Sequence, residues 1–268
     1  MSYTVLARRY RSRDFDEVVG QEPIARTLRN ALSSGRIAHA YLFCGTRGVG
    51  KTTMARLFAK ALNVTDELSE SEAIAEAVMR GEDLDVIEID GASNRGVQEA
   101  RDLIASAGLK PSRCRYRIYI IDEVHMLTRD AFNALLKTME EPPEHVKFIF
   151  ATTEIRRVPV TVLSRCQRFD LRRVKFDVLV DHFSSIANSE GANISRGAIG
   201  LIARAADGSV RDGLSLLDQA IAHSGPDTEI GEGAVRDMLG VAEQLQIFDL
   251  FEQLMRGEIA DALERFDS

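Results

Sequence analysis

Short apolar runs alternate with amphipathic ones along the chain until about Val174, and beyond that point only amphipathic runs remain. The apolar runs are Ala40–Cys44, Asp85–Asp90, Arg117–Asp122 and Val146–Thr152, with Cys166–Leu171 as a shorter edge candidate. Their length and their β-branched and aromatic content predict strands. Between them apolar residues recur three and four apart, as on one face of a helix. Gln21–Ile37 puts Ile24, Leu28, Ala31 and Leu32 on such a face, and Thr53–Leu62, Ser69–Met79, Val97–Ala107 and Asp130–Glu140 also predict helices. Pro142 and Pro143 end the last of these. Strands alternating with helices predict an α/β fold with a doubly wound parallel sheet.

After Val174 the pattern predicts helices at Phe176–Ala187, Arg196–Ala206, Val210–His223 and Gly233–Leu239. The change from α/β to all-α predicts a domain boundary near Arg173–Lys175. Glu243–Phe266 is helical in pattern and ends without a cap signal, which is expected of a further helical domain cut short. The expected division is therefore 1–174, a small all-α domain over 175–240, and the beginning of a third domain over 241–268, in a fragment of something longer. No fixed-period repeat or low-complexity segment interrupts this.

The chemistry begins at the end of the first strand. Gly45–Thr52 reads Gly-Thr-Arg-Gly-Val-Gly-Lys-Thr, between a predicted buried strand and a predicted helix. That is the setting of a phosphate-binding loop, in which backbone N–H groups and a helix N-terminus face an anion. Gly45, Thr46, Arg47, Gly48, Val49, Gly50, Lys51, Thr52 and Thr53 are the candidate nucleotide contacts. Lys51 would reach the β- and γ-phosphates and the Thr52 hydroxyl would ligate Mg²⁺. About seventy residues on, Arg117–Asp122 delivers Asp122 and Glu123 at the C-terminal edge of a predicted central strand. Ligands bind at that edge in open α/β sheets. Asp122 is expected to hold Mg²⁺ and Glu123 to act as general base on a water. An Asp-Glu pair alone is an ordinary strand end; beside an intact phosphate loop it reads as catalytic.

Composition narrows the remainder. A charge of −7 argues against nucleic-acid binding from net charge alone, without excluding a local basic stripe. The absence of tryptophan argues against base stacking as the main contact. No apolar run approaches the ~20 residues of a membrane span, and no apolar stretch follows the charged N-terminus, so a cytoplasmic protein is expected. Cys44, Cys114 and Cys166 lie far apart without metal-ligand spacing, which argues against both a metal site and a disulfide framework.

Several ordered motifs carry a family resemblance: Leu6–Arg11 with Phe15–Gln21, His39–Phe43, the loop itself, Ile120–Leu127, Asn133–Pro143, Ala151–Thr153, Ser164–Cys166 and Gly208–Gln219. With them the chain resembles the AAA+ ATPases, a phosphate-loop α/β domain followed by a helical lid. Within these it resembles the gamma/tau clamp-loader family of bacterial DNA polymerase III, over essentially its whole length. Two departures stand out. The family carries a four-cysteine zinc module where this chain has the cysteine-free Asn63–Ile74, so no zinc is expected. Ser12 stands where the family has proline, next to the segment that contacts adenine.

The resemblance implies that Arg8, Tyr10, Arg11, Val18 and Val19 pack around adenine and ribose. It implies that Thr153 senses the γ-phosphate or the attacking water, and that Arg211 couples the lid to nucleotide state through a charge-assisted contact. Arg165 resembles the arginine finger offered to a neighbour's ATP. The implied partners are other loader subunits in a pentamer, a sliding clamp, primer–template DNA touched through its backbone, and a polymerase or helicase bound by further regions. The collar is expected to lie further along, so this fragment should be mostly monomeric and a poor ATPase alone.

Arg95, Arg101 and Lys137 are candidate DNA-phosphate contacts, though each also suits a solvated helix face. His125 reads as structural or coupling and His39 as packing. Two competing classes are another AAA+ DNA-remodelling machine such as a branch-migration motor, and a non-catalytic loader subunit. Asn133–Pro143 and Ser164–Cys166 argue against the first, and the intact Lys51, Thr52, Asp122 and Glu123 against the second.

Overall fold

The computed structural model describes residues 3–64, 70–94, 96, 98, 102, 105, 107–223, 229–240 and 255–257. It divides into two compact units. One comprises Arg8–Lys175 and Gly208–Arg211; the other comprises the described residues of Met1–Ala7, Phe176–Asp207 and Asp212–Ser268.

Five strands build the first unit: β1 (Ala40–Cys44), β2 (Val86–Asp90), β3 (Arg117–Asp122), β4 (Val146–Thr152) and β5 (Gln167–Asp170). They form one sheet in the order β2-β3-β4-β1-β5, and every pairing is parallel. Strands covered on both faces read as continuous apolar runs, and every residue of β1 and β4 is buried. Side chains alternate between two cores, as a period of two requires. Tyr41, Phe43, Ile118 and Ile120 enter one, together with Leu57 and Phe58 of α3 (Lys51–Asn63). Leu42, Tyr119, Phe148 and Phe150 enter the other, with Phe132 and Leu135 of α5 (Arg129–Glu140). The Tyr41 and Phe58 rings meet edge to face at 4.6 Å, a favoured aromatic geometry.

The short α1 (Leu6–Arg9) falls across the division between the units, and the remaining helices of this part are α2 (Glu22–Ser33), α4 (Ser71–Arg80) and α6 (Val160–Leu163). The helix α2 stops four residues before the expected Ile37. The Gly35 N–H returns to the Leu32 carbonyl and the Arg36 N–H to that of Ala31, a closing pattern that ends a helix. The strand β2 starts at Val86; Asp85, predicted as its first residue, still gives its carbonyl to the Ile118 N–H at 2.7 Å and uses its side chain as a clamp. Its buried carboxylate accepts the N–H groups of Ser112, Arg113 and Cys114 at 2.7, 2.9 and 3.0 Å. The expected helix Val97–Ala107 lies partly outside the described residues, of which Gln98, Asp102, Ala105 and Ala107 are helical. The expected helix Glu243–Phe266 lies outside them except at Met255–Gly257.

The second unit is helical: α7 (Phe176–Ser189), α8 (Arg196–Ala205), α9 (Val210–His223) and α10 (Glu232–Met238). Leu179, Phe183, Ile199, Ile202, Leu214 and Leu217 are buried within it. A single parallel bridge, Ile194 to Ile230, was not expected from the helical pattern. Near its start the chain joins this unit through Leu6, whose N–H donates to the Asp218 carboxylate at 3.2 Å.

Candidate nucleotide site

The site lies where β1 and β3 end. The strand β1 runs into Gly45, and the following loop returns to α3 through Gly48 and Gly50, whose φ values are +77° and +101°. Side chains are strained there. At Gly48 a Cβ would also lie 1.9 Å from the Ser209 Oγ. Gly50 caps α3, so the free N–H groups of the first turn open toward the loop. Lys51 is buried, and its amine donates to the Thr46 carbonyl at 3.0 Å. Burial lowers its pKa, with the charges of Glu123 and Asp122 acting against that. The ammonium therefore sits within the field of both carboxylates.

The Thr52 Oγ1 donates to the Asp122 Oδ2 at 2.5 Å. That contact joins the first turn of α3 to the end of β3, seventy residues away in sequence. Two hard oxygen donors converge there, of the kind that holds Mg²⁺. Glu123 follows in the left-handed region at φ +44°, a conformation that costs a non-glycine residue on the order of 1–3 kcal/mol. Its N–H donates to the Asp122 Oδ1 at 2.9 Å. Its Oε2 accepts both the backbone N–H and the hydroxyl of Thr153, at 3.2 and 3.0 Å. Thr153 thus fixes the direction of the Glu123 carboxylate.

His125, read from the sequence as structural or coupling, lies beside this pair. The His125 side chain is buried, with Nδ1 2.9 Å from the Thr152 hydroxyl and 3.4 Å from the Glu123 Oε2. Its Nε2 is 3.6 Å from the Glu154 Oε1. Gln21 was missed. It is buried, donates to the Arg172 carbonyl at 2.6 Å and accepts the Arg172 N–H at 3.1 Å. Leu171, one residue earlier, bonds to the Cys44 carbonyl at 2.8 Å. The Gln21 pairing therefore ties the N-terminal segment to the chain beside the loop. No local signal pointed to it, since its partner Arg172 lies 151 residues away in sequence.

The other candidates divide. The Arg211 N–H donates to the Gly48 carbonyl at 3.4 Å, so the backbone at this residue adjoins the loop. Val18 packs against the α3 side of the core, and Arg11 is half-buried within the field of Arg211. Val19 is half-buried, Tyr10 lies beneath the Arg9 guanidinium, and Arg8 is exposed. Arg165 is not at the site. It precedes β5, whose Gln167 pairs with Tyr41 near the start of β1. That puts it roughly 15 Å from the loop, at the opposite end of the strands. Its guanidinium is exposed and pairs with Glu140 at 2.7 Å. Lys137 is exposed on α5, while Arg95 and Arg101 lie outside the described residues. His39 corrects the packing expectation: it is exposed, 3.5 Å from the Lys147 amine.

Among the described residues one further group of potential metal ligands appears, Asp83, Asp85 and Cys114. Its donors are already engaged. Asp83 pairs with Arg113 at 2.7 Å, Asp85 holds three N–H groups, and burial pushes the Cys114 thiol up to about 12. No helix among the described residues is long and apolar enough to cross a membrane.

Residues 20–175 match the DNA polymerase III delta subunit family, 178–226 the ATPase lid domain of DNA polymerase III clamp loader subunits, and 230–268 domain III of the gamma and tau subunits. The chain is 47% identical to DNA polymerase III subunit tau of Bacillus subtilis, over 98% of this chain and 47% of that one. It is 48% identical to Escherichia coli subunit tau, over 95% of this chain and 40% of the relative. It is 43% identical to subunit gamma of Buchnera aphidicola, over 96% of this chain and 72% of the relative. The chain thus spans about half the length of the tau subunits it matches. In fold it is similar to the Holliday junction branch migration motor RuvB of Thermotoga maritima, with a TM-score of 0.65 and 19% identity over 87% of this chain and 72% of that one. Identity that low speaks for a shared fold alone. With the sequence matches running from the phosphate loop through the lid, the chain belongs to the gamma/tau family of DNA polymerase III clamp-loader subunits.

Proposed function

We propose that this chain is the ATP-driven motor portion of a bacterial clamp loader. Its nucleotide state governs affinity for a sliding clamp and primer–template DNA, and hydrolysis releases the closed clamp. The observation that carries this reading is the gathering of Lys51, Thr52, Asp122 and Glu123, with Thr52 and Asp122 2.5 Å apart. A non-catalytic subunit has no need of that set.

In this reading the loop N–H groups and Lys51 hold the phosphates, and Thr52 with Asp122 holds Mg²⁺. Bound Mg²⁺ supplies charge neutralisation at the phosphate oxygens. Glu123 accepts a proton from the attacking water, oriented by its two bonds from Thr153. Arg211 couples the helical lid to the phosphates. Arg8, Tyr10, Arg11, Val18 and Val19 enclose adenine and ribose. Arg165 serves a neighbouring subunit's site, which its distance from its own loop favours. The expected nucleotide-binding domain over 1–174 is then the unit Arg8–Lys175 with Gly208–Arg211, since the described residues before Arg8 group with the helical unit instead; 175–240 otherwise form the lid and 241–268 the beginning of the collar, without zinc. The partners are the other loader subunits in a pentamer, the clamp, DNA, and a polymerase or helicase, all in the bacterial cytoplasm. ATP can drive the cycle only through different affinities of the two nucleotide states for clamp and DNA.

The test is steady-state ATP hydrolysis by the full-length protein assembled with its partners, with and without clamp and primed DNA. Stimulation that requires both supports clamp loading. Stimulation by DNA with indifference to clamp points to another DNA-remodelling ATPase, and nucleotide binding without turnover to a structural subunit.

A further inference from the structure

Away from the phosphate loop, the α/β unit contains a recess of about 290 Å³ between its N-terminal segment, α3 and α4. Six cations line it: Arg8, Arg11, Arg13, Arg56, Lys60 and Arg80. Among the described residues the only carboxylate in its wall is that of Glu76, beside Ala75 and Met79. Some of the cations are already held. Arg56 grips Glu88 through two nitrogens at 2.6 and 2.8 Å and donates a third bond to the Met79 carbonyl. Lys60 donates to the Arg13 carbonyl at 2.6 Å, and Arg80 shares Glu76 at 2.9 Å. These bonds make the wall rigid. By contrast, Arg8, Arg11 and Arg13 have no side-chain hydrogen bond or ion pair among the described residues. Arg11 is the most exacting of these. Burial first, then the Arg56 charge, with Arg211 and Arg8 behind it, pushes its guanidinium below the usual value, only partly offset by Glu88. Like charges crowded in a half-enclosed space repel one another until an anion joins them.

We propose that this recess is a second anion site, for a small polyphosphate of the pyrophosphate class, distinct from the phosphate loop. Its volume lies at the small end of ligand pockets, which suits a compact group better than a continuous DNA backbone. Three unpaired guanidiniums match the several charges and many acceptor oxygens of a di- or triphosphate, because each fork can take two oxygens. The occupant is either free pyrophosphate or the phosphate tail of a nucleotide. Arg8 and Arg11 also belong to the segment proposed to enclose adenine. The site is therefore probed through Arg13 and Arg80, which do not.

Pyrophosphate would be titrated calorimetrically, without divalent cation, into the chain as it stands and into two variants. Lys51→Ala disables the phosphate loop; Arg13→Ala with Arg80→Ala strips the recess through two exposed side chains. Binding should survive in Lys51→Ala and weaken at least about tenfold in the double variant, the expected scale for losing charge-assisted contacts. The double variant should keep its ATP affinity at the loop, measured in parallel with Mg²⁺. Arg80→Glu provides a second variant, expected to weaken binding further by reversing the charge. In Lys51→Ala, displacement of pyrophosphate by ATP but not by adenosine identifies a nucleotide tail, and failure of ATP to displace it identifies free pyrophosphate; both uphold the site. Binding that disappears in Lys51→Ala and persists in the double variant would place the anion on the loop and overturn the proposal. So would no pyrophosphate binding at all, or weakened primer–template DNA binding in the double variant without pyrophosphate binding. Failure of the ATPase reading would show separately, as loss of ATP turnover without change in pyrophosphate binding.

Discussion

Replacing Asp85 with alanine should destabilise the α/β unit far more than removal of one carboxylate ordinarily does. The side chain is fully buried and accepts three backbone N–H groups between 2.7 and 3.0 Å, with the Arg117 guanidinium 4.0 Å away. These bonds anchor residues 112–114 to the start of β2 and so help hold β2 beside β3, which carries Asp122 and Glu123. A hydrogen bond to a charged group contributes about 1.5–3 kcal/mol, and an orphaned buried donor costs about 1–3 kcal/mol. Three bonds offer more than the net effect, because burying the carboxylate has its own cost and water will enter the gap. The expected loss is about 4 kcal/mol for Asp85→Ala, and roughly half of that for Asp85→Asn, which retains one acceptor oxygen. The pH dependence has a definite sign. Burial pushes the carboxyl up, but the three N–H groups together outweigh it and leave the folded value below the ordinary one. The contribution is thus complete above the unfolded value, about 3.9, and is lost as pH falls through the folded value. Urea unfolding of wild type and both variants should show a gap constant from pH 5 to 8 that narrows below about pH 4. A loss under about 1 kcal/mol for Asp85→Ala, or a gap that widens in acid, would refute the argument.

Other outcomes follow from single contacts. Cys114 and Cys166 are pushed up to about 12 and Cys44 to about 11, mainly by burial, so all three thiols should label slowly with a disulfide reagent at pH 8 and rapidly after denaturation. At Gly48, alanine meets both a φ of +77° and the Ser209 Oγ, so Gly48→Ala should lower nucleotide affinity about tenfold or more in equilibrium binding. An unchanged affinity would mean that the loop reshapes freely. A Cβ at Gly213 would lie 2.1 Å from the Phe183 Cζ, so Gly213→Ala should destabilise the helical unit by about 1–2 kcal/mol although it favours the helix by about 1 kcal/mol. A raised melting temperature would contradict that. Arg165→Ala loses an exposed pair with Glu140 and should leave folding and ATP affinity nearly unchanged, yet lower hydrolysis in the assembled loader by about 10³-fold. Equal turnover would remove Arg165 from the mechanism.

The parts of this protein legible in its sequence are those governed by local spacing. Runs such as Val146–Thr152, apolar but for Lys147 and Thr152, arise because both faces of a central parallel strand are covered, and that pattern needs no knowledge of neighbours. The loop from Gly45 to Thr52 is legible for a similar reason, since backbone geometry dictates its glycines and the side-chain chemistry of phosphate binding its lysine and threonine, all within eight consecutive residues. Asp85 was read as strand because its neighbours alternate correctly, yet its role depends on residues 112–114, which only the fold brings near. The strand order that brings β1 and β3 to either side of β4 is likewise tertiary, and with it the meeting of Thr52 and Asp122. Glu123 shows the division most clearly. Its identity follows from sequence, but its left-handed backbone and its two bonds from Thr153 come from the meeting of two strand ends. Periodicity along a chain reports which side of an element is buried. Which elements then become neighbours depends on long-range packing: the contacts from Thr52 to Asp122, from His125 to Thr152 and from Thr153 to Glu123 span between 27 and 70 residues.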